Sequence, residues 1–223
     1  SLYQLLEAEQ VTLSAGVPTV WQGLLGHLEA TGQNFSSMKR TILVTAGPTQ
    51  EPIDTVRFIS NPSSGKMGYA IAEAAHQRGA EVILVAGPTN LMPPAGVQSY
   101  AVQTACQMRA AVMRVFERAD VIVKAAAVSD YRPRQFLPYK VKKTEDVQTL
   151  ELVRNPDILA ELGQRKGKRV LVGFAAETEE LLANAQKKVQ AKHLDMIVAN
   201  EVGHAGSGFQ SDANKVLILH DNG

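Results

Sequence analysis

The stretch ISNPSSGKMG, residues 59–68, runs directly into a helical pattern and combines serines, two glycines and a lysine. Backbone N–H groups at the start of a helix, with the positive end of its dipole behind them, form a natural seat for a phosphate or carboxylate. The same residues also suit a glycine-containing turn with solvated serines, and the motif alone leaves both readings open. A second candidate is DYRPRQFLPYKVKK, which carries Arg132, Arg134, Lys140, Lys142 and Lys143 on one irregular segment. Flexible cations near a helix start could offset the charge of a departing polyphosphate, or they could be a solvated charged loop. Asp130, just ahead of them, could accept from a ribose hydroxyl, help hold Mg²⁺ or cap a turn. Lys188 and Lys192 stand four apart on one helical face, a spacing that surface lysines share.

Tests against known phosphate loops narrow the chemistry. Gly65-Lys66 matches part of a Walker A loop, but Ser60 stands where its first glycine belongs and Met67 where a Mg²⁺-ligating Ser or Thr belongs. A dinucleotide fingerprint needs closely spaced glycines after the first strand and an acid closing the second. GPTQEP supplies one glycine, and EVILVAGPT ends without an acid, which weakens an NAD(P)-binding oxidoreductase. The histidines His27, His76, His193, His204 and His220 form no metal-binding spacing, and no G-x-S-x-G elbow is present. Cys106 is the single cysteine, so no internal disulfide can form. Its setting, CQMRAAVMRVF, reads as a small thiol in the core of a helix.

The elements that must position these residues alternate. TILVTA, AEVILVAG, DVIVKAAA, RVLVGFAAE, LDMIVANEV and NKVLILH read as strands, with GYAIAEAAHQRG, ACQMRAAVMRVFERA, PDILAELGQR and LLANAQKKVQAKH as helices between them. Strands apolar on both faces call for helices on both. The expected fold is α/β, a Rossmann-like, doubly wound, mostly parallel sheet in three layers with the irregular basic loop over the site. In such sheets ligands gather beyond the carboxyl ends of the strands, which selects the segments after TILVTA, EVILVAG, DVIVK and RVLVG, and ANEVGHAGSGFQSD near the end.

A 223-residue chain with 45% hydrophobic and 20% charged residues has an ordinary globular composition. Its net charge of +1 provides no basic field to recruit nucleic acid or a membrane surface. No apolar run approaches a membrane span, and SLYQLLEAEQ is too acidic for a signal peptide. A cytoplasmic protein is expected.

Together TAGPTQEPIDTVRFISNPSSGKMGYAIA, AAAVSDYRP, KVKK, NPDIL, VGFAAET, DMIVAN and GFQSDANKV resemble the phosphopantothenate-cysteine ligase family, in order from about Thr41 onward. In bacteria this unit is commonly the second half of a bifunctional coenzyme A biosynthesis protein. The resemblance implies a homodimer that joins 4′-phosphopantothenate to L-cysteine through an acyl cytidylate, with CTP as co-substrate and Mg²⁺ present. It implies catalytic roles for Asn61 and Lys140. Ala126, Asp130, Pro156, Asp157, Ile158, Leu159, Phe174, Lys188 and Lys192 would hold CTP. Gly47, Ser63, Gly65 and Gly68 would form the anion-binding floor, with Arg57 as a substrate contact.

Two positions depart from the family pattern: Thr55 where proline is common, and Pro62 where a larger residue is usual. Pro62 restricts Asn61 toward extended geometry and so bears on where its amide points. The chain ends at HDNG, short of a final helix usual in the family. Residues 1–40 resemble instead an interior helix-strand-helix piece of fatty acyl-CoA synthetases, so a fusion near KRT is expected. Alternatively, their apolar residues, including Trp21, pack as an extra layer on the sheet. A nucleotide-binding remnant without catalysis is the reading such a fusion would favour.

Overall fold

The computed structural model describes residues 14–15, 40–142, 147–177, 181–201 and 214–220. Twelve strands and four α-helices are defined there. The strands are β1 (Ser14–Ala15), β2 (Thr41–Ala46), β3 (Gln50–Pro52), β4 (Phe58–Ser60), β5 (Glu81–Ala86), β6 (Gln98–Ala101), β7 (Val121–Lys124), β8 (Tyr131–Pro133), β9 (Leu152–Arg154), β10 (Val170–Glu177), β11 (Met196–Glu201) and β12 (Asn214–His220). The helices are α1 (Lys66–Gln77), α2 (Ala105–Val115), α3 (Ile158–Arg165) and α4 (Leu181–Ala191).

Eight strands form one sheet in the order β1-β12-β11-β10-β7-β2-β5-β6. The six strands from β11 to β6 are parallel, whereas β12 runs antiparallel to β11 and β1 antiparallel to β12. The chain starts the parallel set at β2 and winds outward to β6. It then crosses back to β7 on the other side of β2 and winds outward again. The strand order therefore reverses between β2 and β7, the point beyond whose carboxyl ends ligands gather in such sheets.

Side chains alternate across the strands. Ile42, Val44 and Ala46 of β2 pack with Tyr69, Ile71, Ala72 and Ala75 of α1 on one face of the sheet. Leu43 of β2 joins Met108, Val112 and Val115 of α2, Ile158 and Leu162 of α3, and Ala185 and Val189 of α4 on the other. This is the three-layer, doubly wound α/β arrangement expected from the pattern of apolar strands.

Cys106 is a correction. It lies on α2 as expected, but it is exposed. The buried stripe of α2 is Ala105, Met108, Val112 and Val115, and a position one residue after Ala105 is rotated about 100° away from that stripe. The sequence pattern also missed the hairpin β3–β4 and the edge strand β6. Of the first forty residues, Ser14–Ala15 pair with β12 and Arg40 donates to Asp120; the rest of the expected helix-strand-helix piece lies outside the described residues.

Candidate functional site

The exits of β2 and β7 are laced together at the reversal point. Ala127 N–H donates to the Gly47 carbonyl at 2.9 Å, and Thr49 N–H donates to the Ala127 carbonyl at 3.2 Å. Two fully buried threonines extend the seam. Thr45 Oγ1 accepts from Ala126 N–H at 3.2 Å and Thr49 Oγ1 from Ser129 N–H at 3.0 Å. The loops beyond both strands are thus fixed by paired backbone groups.

The glycine floor rests on that seam. Gly65 caps α1 in the left-handed region at φ 79° without a side-chain cap bond, and the first turn contains no acid, which keeps the positive end of the helix open to an anion. Gly47 is also left-handed at φ 73°. Gly68 allows α1 to touch the end of β2, because a Cβ there would lie 2.5 Å from Ala46 Cβ. Ser63 Oγ accepts from Gly65 N–H at 3.3 Å. Asn61 closes the edge by donating from Nδ2 to the Ala127 carbonyl at 3.1 Å. Exposed Pro62 sits inside a tight turn in which Ser63 N–H returns to the Asn61 carbonyl at 2.8 Å. With that turn in place, the Asn61 amide reaches the β7 exit.

On the other side of the β7 exit lies a cleft of about 370 Å³ lined by Lys124, Val128, Ser129, Asp130, Tyr131, Arg154, Asn155, Pro156, Asp157, Ile158, Leu159, Phe174, Lys188 and Lys192. Its walls come from elements far apart in the chain. Asp157 is the N-cap of α3, accepting from Ala160 N–H at 3.0 Å, and its other carboxylate oxygen lies 3.1 Å from Lys192 Nζ near the end of α4. Gly163 permits this approach, since a Cβ there would lie 1.9 Å from the Lys192 carbonyl oxygen. Burial opposes ionisation of Asp157, but the Ala160 N–H and the ammoniums of Lys192 and Lys124 outweigh it and hold the carboxyl below its usual range. Lys124, at the end of β7, donates to the Ala126 carbonyl at 3.2 Å. Burial, reinforced by the Lys192 charge, brings its ammonium down to about 8.

The basic loop is anchored by a carboxylate. Asp54, 3% exposed, accepts from the backbone N–H groups of Val56 and Arg57 through Oδ1. Its Oδ2 accepts from Arg57 Nε at 3.0 Å, Arg57 Nη2 at 2.6 Å and Val141 N–H at 3.2 Å. The Arg57 guanidinium, forked onto Asp54, holds that carboxyl well below the usual range. Leu137 N–H donates to the Ile53 carbonyl at 3.1 Å, so the segment carrying Lys140 is pinned on both sides of that exposed lysine.

The residues suggested by the sequence thus form two neighbouring groups. Asp130, Pro156, Asp157, Ile158, Leu159, Phe174, Lys188 and Lys192 line the cleft. Gly47, Asn61, Ser63, Gly65 and Gly68 form the floor. Ala126 lies buried in the seam between them. Arg57 and Lys140 line neither; Arg57 is engaged by Asp54, and Lys140 projects from the anchored loop. Lys124, Val128, Ser129, Tyr131, Arg154 and Asn155 were missed as cleft residues. Lys124 had a readable signal, a lone charge closing the apolar run VIV at a strand's carboxyl end.

Among the described residues no group of three His, Cys, Asp or Glu side chains is placed to hold a metal. Asp130 and Asp157 are the carboxylates on the cleft wall, a set that fits Mg²⁺ carried largely by substrate phosphates rather than by a dedicated protein cage.

A parallel sheet whose order reverses beside a polar, lysine-bearing cleft defines a Rossmann-like α/β domain. The chain belongs to the DFP family, described as the DNA/pantothenate metabolism flavoprotein C-terminal domain, which it matches over residues 37–223. It is 50% identical over 183 residues to the coenzyme A biosynthesis bifunctional protein CoaBC of Bacillus subtilis, covering 82% of this chain and 45% of that protein. Its identity to the Mycobacterium bovis protein of the same name is 44% over 232 residues, covering 99% of this chain, the first forty residues included, and 53% of that protein. The chain therefore spans about half the length of the curated relatives it matches. A crystal structure of the C-terminal domain of a CoaBC protein superimposes with a TM-score of 0.70 at 46% identity, covering 82% of this chain and 83% of that one. No helix among the described residues is long and apolar enough to cross a membrane.

Proposed function

We propose that this chain is a CTP-dependent ligase that joins 4′-phosphopantothenate to L-cysteine. The observation that carries the reading is the junction of two sites at the reversal point. A lysine-bearing cleft of nucleotide size and a glycine floor suited to an anion share the β7 exit, bridged by the Asn61–Ala127 hydrogen bond. The relatives' place in coenzyme A biosynthesis, given by their name, supports the substrate pair.

In the first step a carboxylate oxygen of phosphopantothenate attacks the α-phosphorus of CTP, and the bond to the β-phosphate oxygen breaks. Pyrophosphate leaves, giving the acyl cytidylate. Lys188 and Lys192 offset the charge that builds on the phosphates, and Phe174 lies against the nucleoside. Asp130 would help hold a phosphate-bound Mg²⁺, which would supply further charge neutralisation. In the second step the cysteine amine attacks the acyl carbon and loses a proton as CMP departs. A carboxamide NH₂ has two N–H donors; Asn61 uses one on Ala127, and the second can meet the oxyanion. Lys140 assists turnover of the cytidylate from its anchored loop.

The protein is proposed to act in the cytoplasm as a homodimer. Val56 and Phe58 are 57% and 47% exposed, and Phe136 and Tyr139 project from the segment bridged to Asp54. Together they place an apolar surface beside the floor, of the kind buried between subunits. Light scattering of the purified chain measures the stoichiometry.

Pyrophosphate release from CTP tests the function. Release that requires phosphopantothenate, with amide formed only after cysteine is added, supports it. Binding of NAD(P) without CTP would replace it with an oxidoreductase, and CTP binding without pyrophosphate would leave a non-catalytic nucleotide-binding domain.

A further inference from the structure

Lys124 is a charged group of the cleft that the proposed reaction does not use. It closes β7 between Thr45 of β2 and Gly173 of β10, at the point where the strand order reverses. Among the described residues its ammonium donates to a backbone carbonyl, that of Ala126, although it has three N–H groups to satisfy. The groups facing it are Asp157 at the N-cap of α3, Lys188 of α4 with Lys192 just beyond that helix, and Asp130 of the loop after β7. Asp157 is already engaged by Lys192 and by Ala160 N–H. A second feature of the same cleft also points to a ligand. Ser129 is 5% exposed, lines the cleft and has an Oγ with no hydrogen-bond partner. A half-buried ammonium and an unpartnered buried hydroxyl on one wall are unfavourable without an acceptor between them. Phosphate oxygens are acceptors of the right charge.

We propose that Lys124 is a phosphate-binding residue of the cleft that takes up a proton when the nucleotide polyphosphate binds. The proposal rests on the reading of the cleft as a nucleotide site. In the ligand-free protein the ammonium sits near 8 because burial and Lys192 disfavour its charge. A polyphosphate beside it reverses that balance, so binding above neutrality draws a proton from solvent onto Nζ. No bond other than N–H forms.

Calorimetry with CTP and Mg²⁺ on the full chain, in two buffers of different ionisation enthalpy, tests this at pH 8.3. The nucleotide's terminal phosphate, with a second pKa near 6, is already ionised there. Uptake of about half a proton per CTP is expected for the wild type. Lys124→Arg should bind CTP with that uptake abolished, because the guanidinium is charged throughout. Lys124→Met should also lose the uptake and bind about tenfold more weakly. A merely structural lysine would not link binding to a proton. Lys124→Met should melt about 2–4 °C higher at pH 7, since a buried charge without a ligand is removed. Retained CTP binding with the same uptake in both variants overturns the role of Lys124 alone. Absence of CTP binding by the wild type overturns the reading of the cleft and the proposal with it.

Discussion

Asn61 donates from Nδ2 to the Ala127 carbonyl at 3.1 Å, joining the glycine floor to the loop that opens into the lysine cleft. The bond is long-range in sequence and short in space, and in the proposed reaction the acyl carbon and the α-phosphorus would meet beside it. Replacing Asn61 with Ala is expected to slow amide formation by about 10²–10³-fold, the usual cost of one oxyanion donor, with CTP affinity little changed. Quenched-flow analysis of cytidylate and amide separates the two steps.

Asp54 controls the Lys140 segment at a distance. Asp54→Asn breaks the charged fork with Arg57 and weakens the hold on Val141 N–H. Turnover should fall while the KM for CTP stays near wild type, and limited proteolysis should cut sooner around residues 137–142. Equal proteolysis with full turnover would remove Asp54 from the positioning of that loop.

The same carboxylate sets an acid limit. Because its folded-state pKa is depressed by the Arg57 guanidinium, the stability it contributes is fully present above the unfolded carboxylate value near 3.9 and is lost as pH falls below it. The difference in melting temperature between wild type and Asp54→Asn should therefore be widest above about pH 5 and shrink toward pH 2, as read by circular dichroism.

Asp157 has two separable roles, cap and charge. Asp157→Asn keeps the oxygen that caps α3 and should cost only a few tenths of a kcal/mol, whereas Asp157→Ala should cost about 1 kcal/mol in urea unfolding. Lys192→Met removes a cation proposed to face the nucleotide phosphates and should weaken CTP binding about tenfold. A larger loss of stability in Asp157→Asn than in Asp157→Ala would contradict the capping role.

Gly68 tests the floor sterically. Adding one methyl there drives Cβ to 2.5 Å from Ala46 Cβ and 3.0 Å from the Thr45 carbonyl oxygen, so Gly68→Ala should destabilise by about 2 kcal/mol and weaken anion binding together with it. Chemical denaturation beside a phosphopantothenate titration reads both.

Much of the sheet was legible because β2, β5, β7, β10 and β11 are short apolar runs separated by amphipathic helices, and doubly covered strands have few other solutions. β6 escaped because QSYA is four residues long and largely exposed at the sheet edge. The hairpin β3–β4 escaped because its pairing depends on tertiary partners. Buried Glu51 accepts from Ala105 N–H at the start of α2 at 2.9 Å, and Ser60 Oγ donates to the Thr49 carbonyl at 2.8 Å. Cys106 was misread because an apolar neighbourhood in sequence does not fix which face of a helix a residue takes. In the site, residue type and spacing left the glycines and lysines open, and the resemblance to the ligase family is what singled them out. The Asp54–Arg57–Val141 anchor and the neighbours that Lys124 meets, Asp157 and Lys192, could not be read, since each depends on segments brought together by the fold.

The measurement that bears most directly on the central claim follows the carboxyl oxygen. Phosphopantothenate labelled with ¹⁸O in its carboxylate is turned over with CTP and cysteine, and the products are analysed by mass spectrometry. An acyl cytidylate requires one labelled oxygen to emerge in CMP, with unlabelled pyrophosphate beside it. Label appearing in inorganic phosphate with CDP, or unlabelled CMP from a turning-over enzyme, would contradict attack at the α-phosphorus.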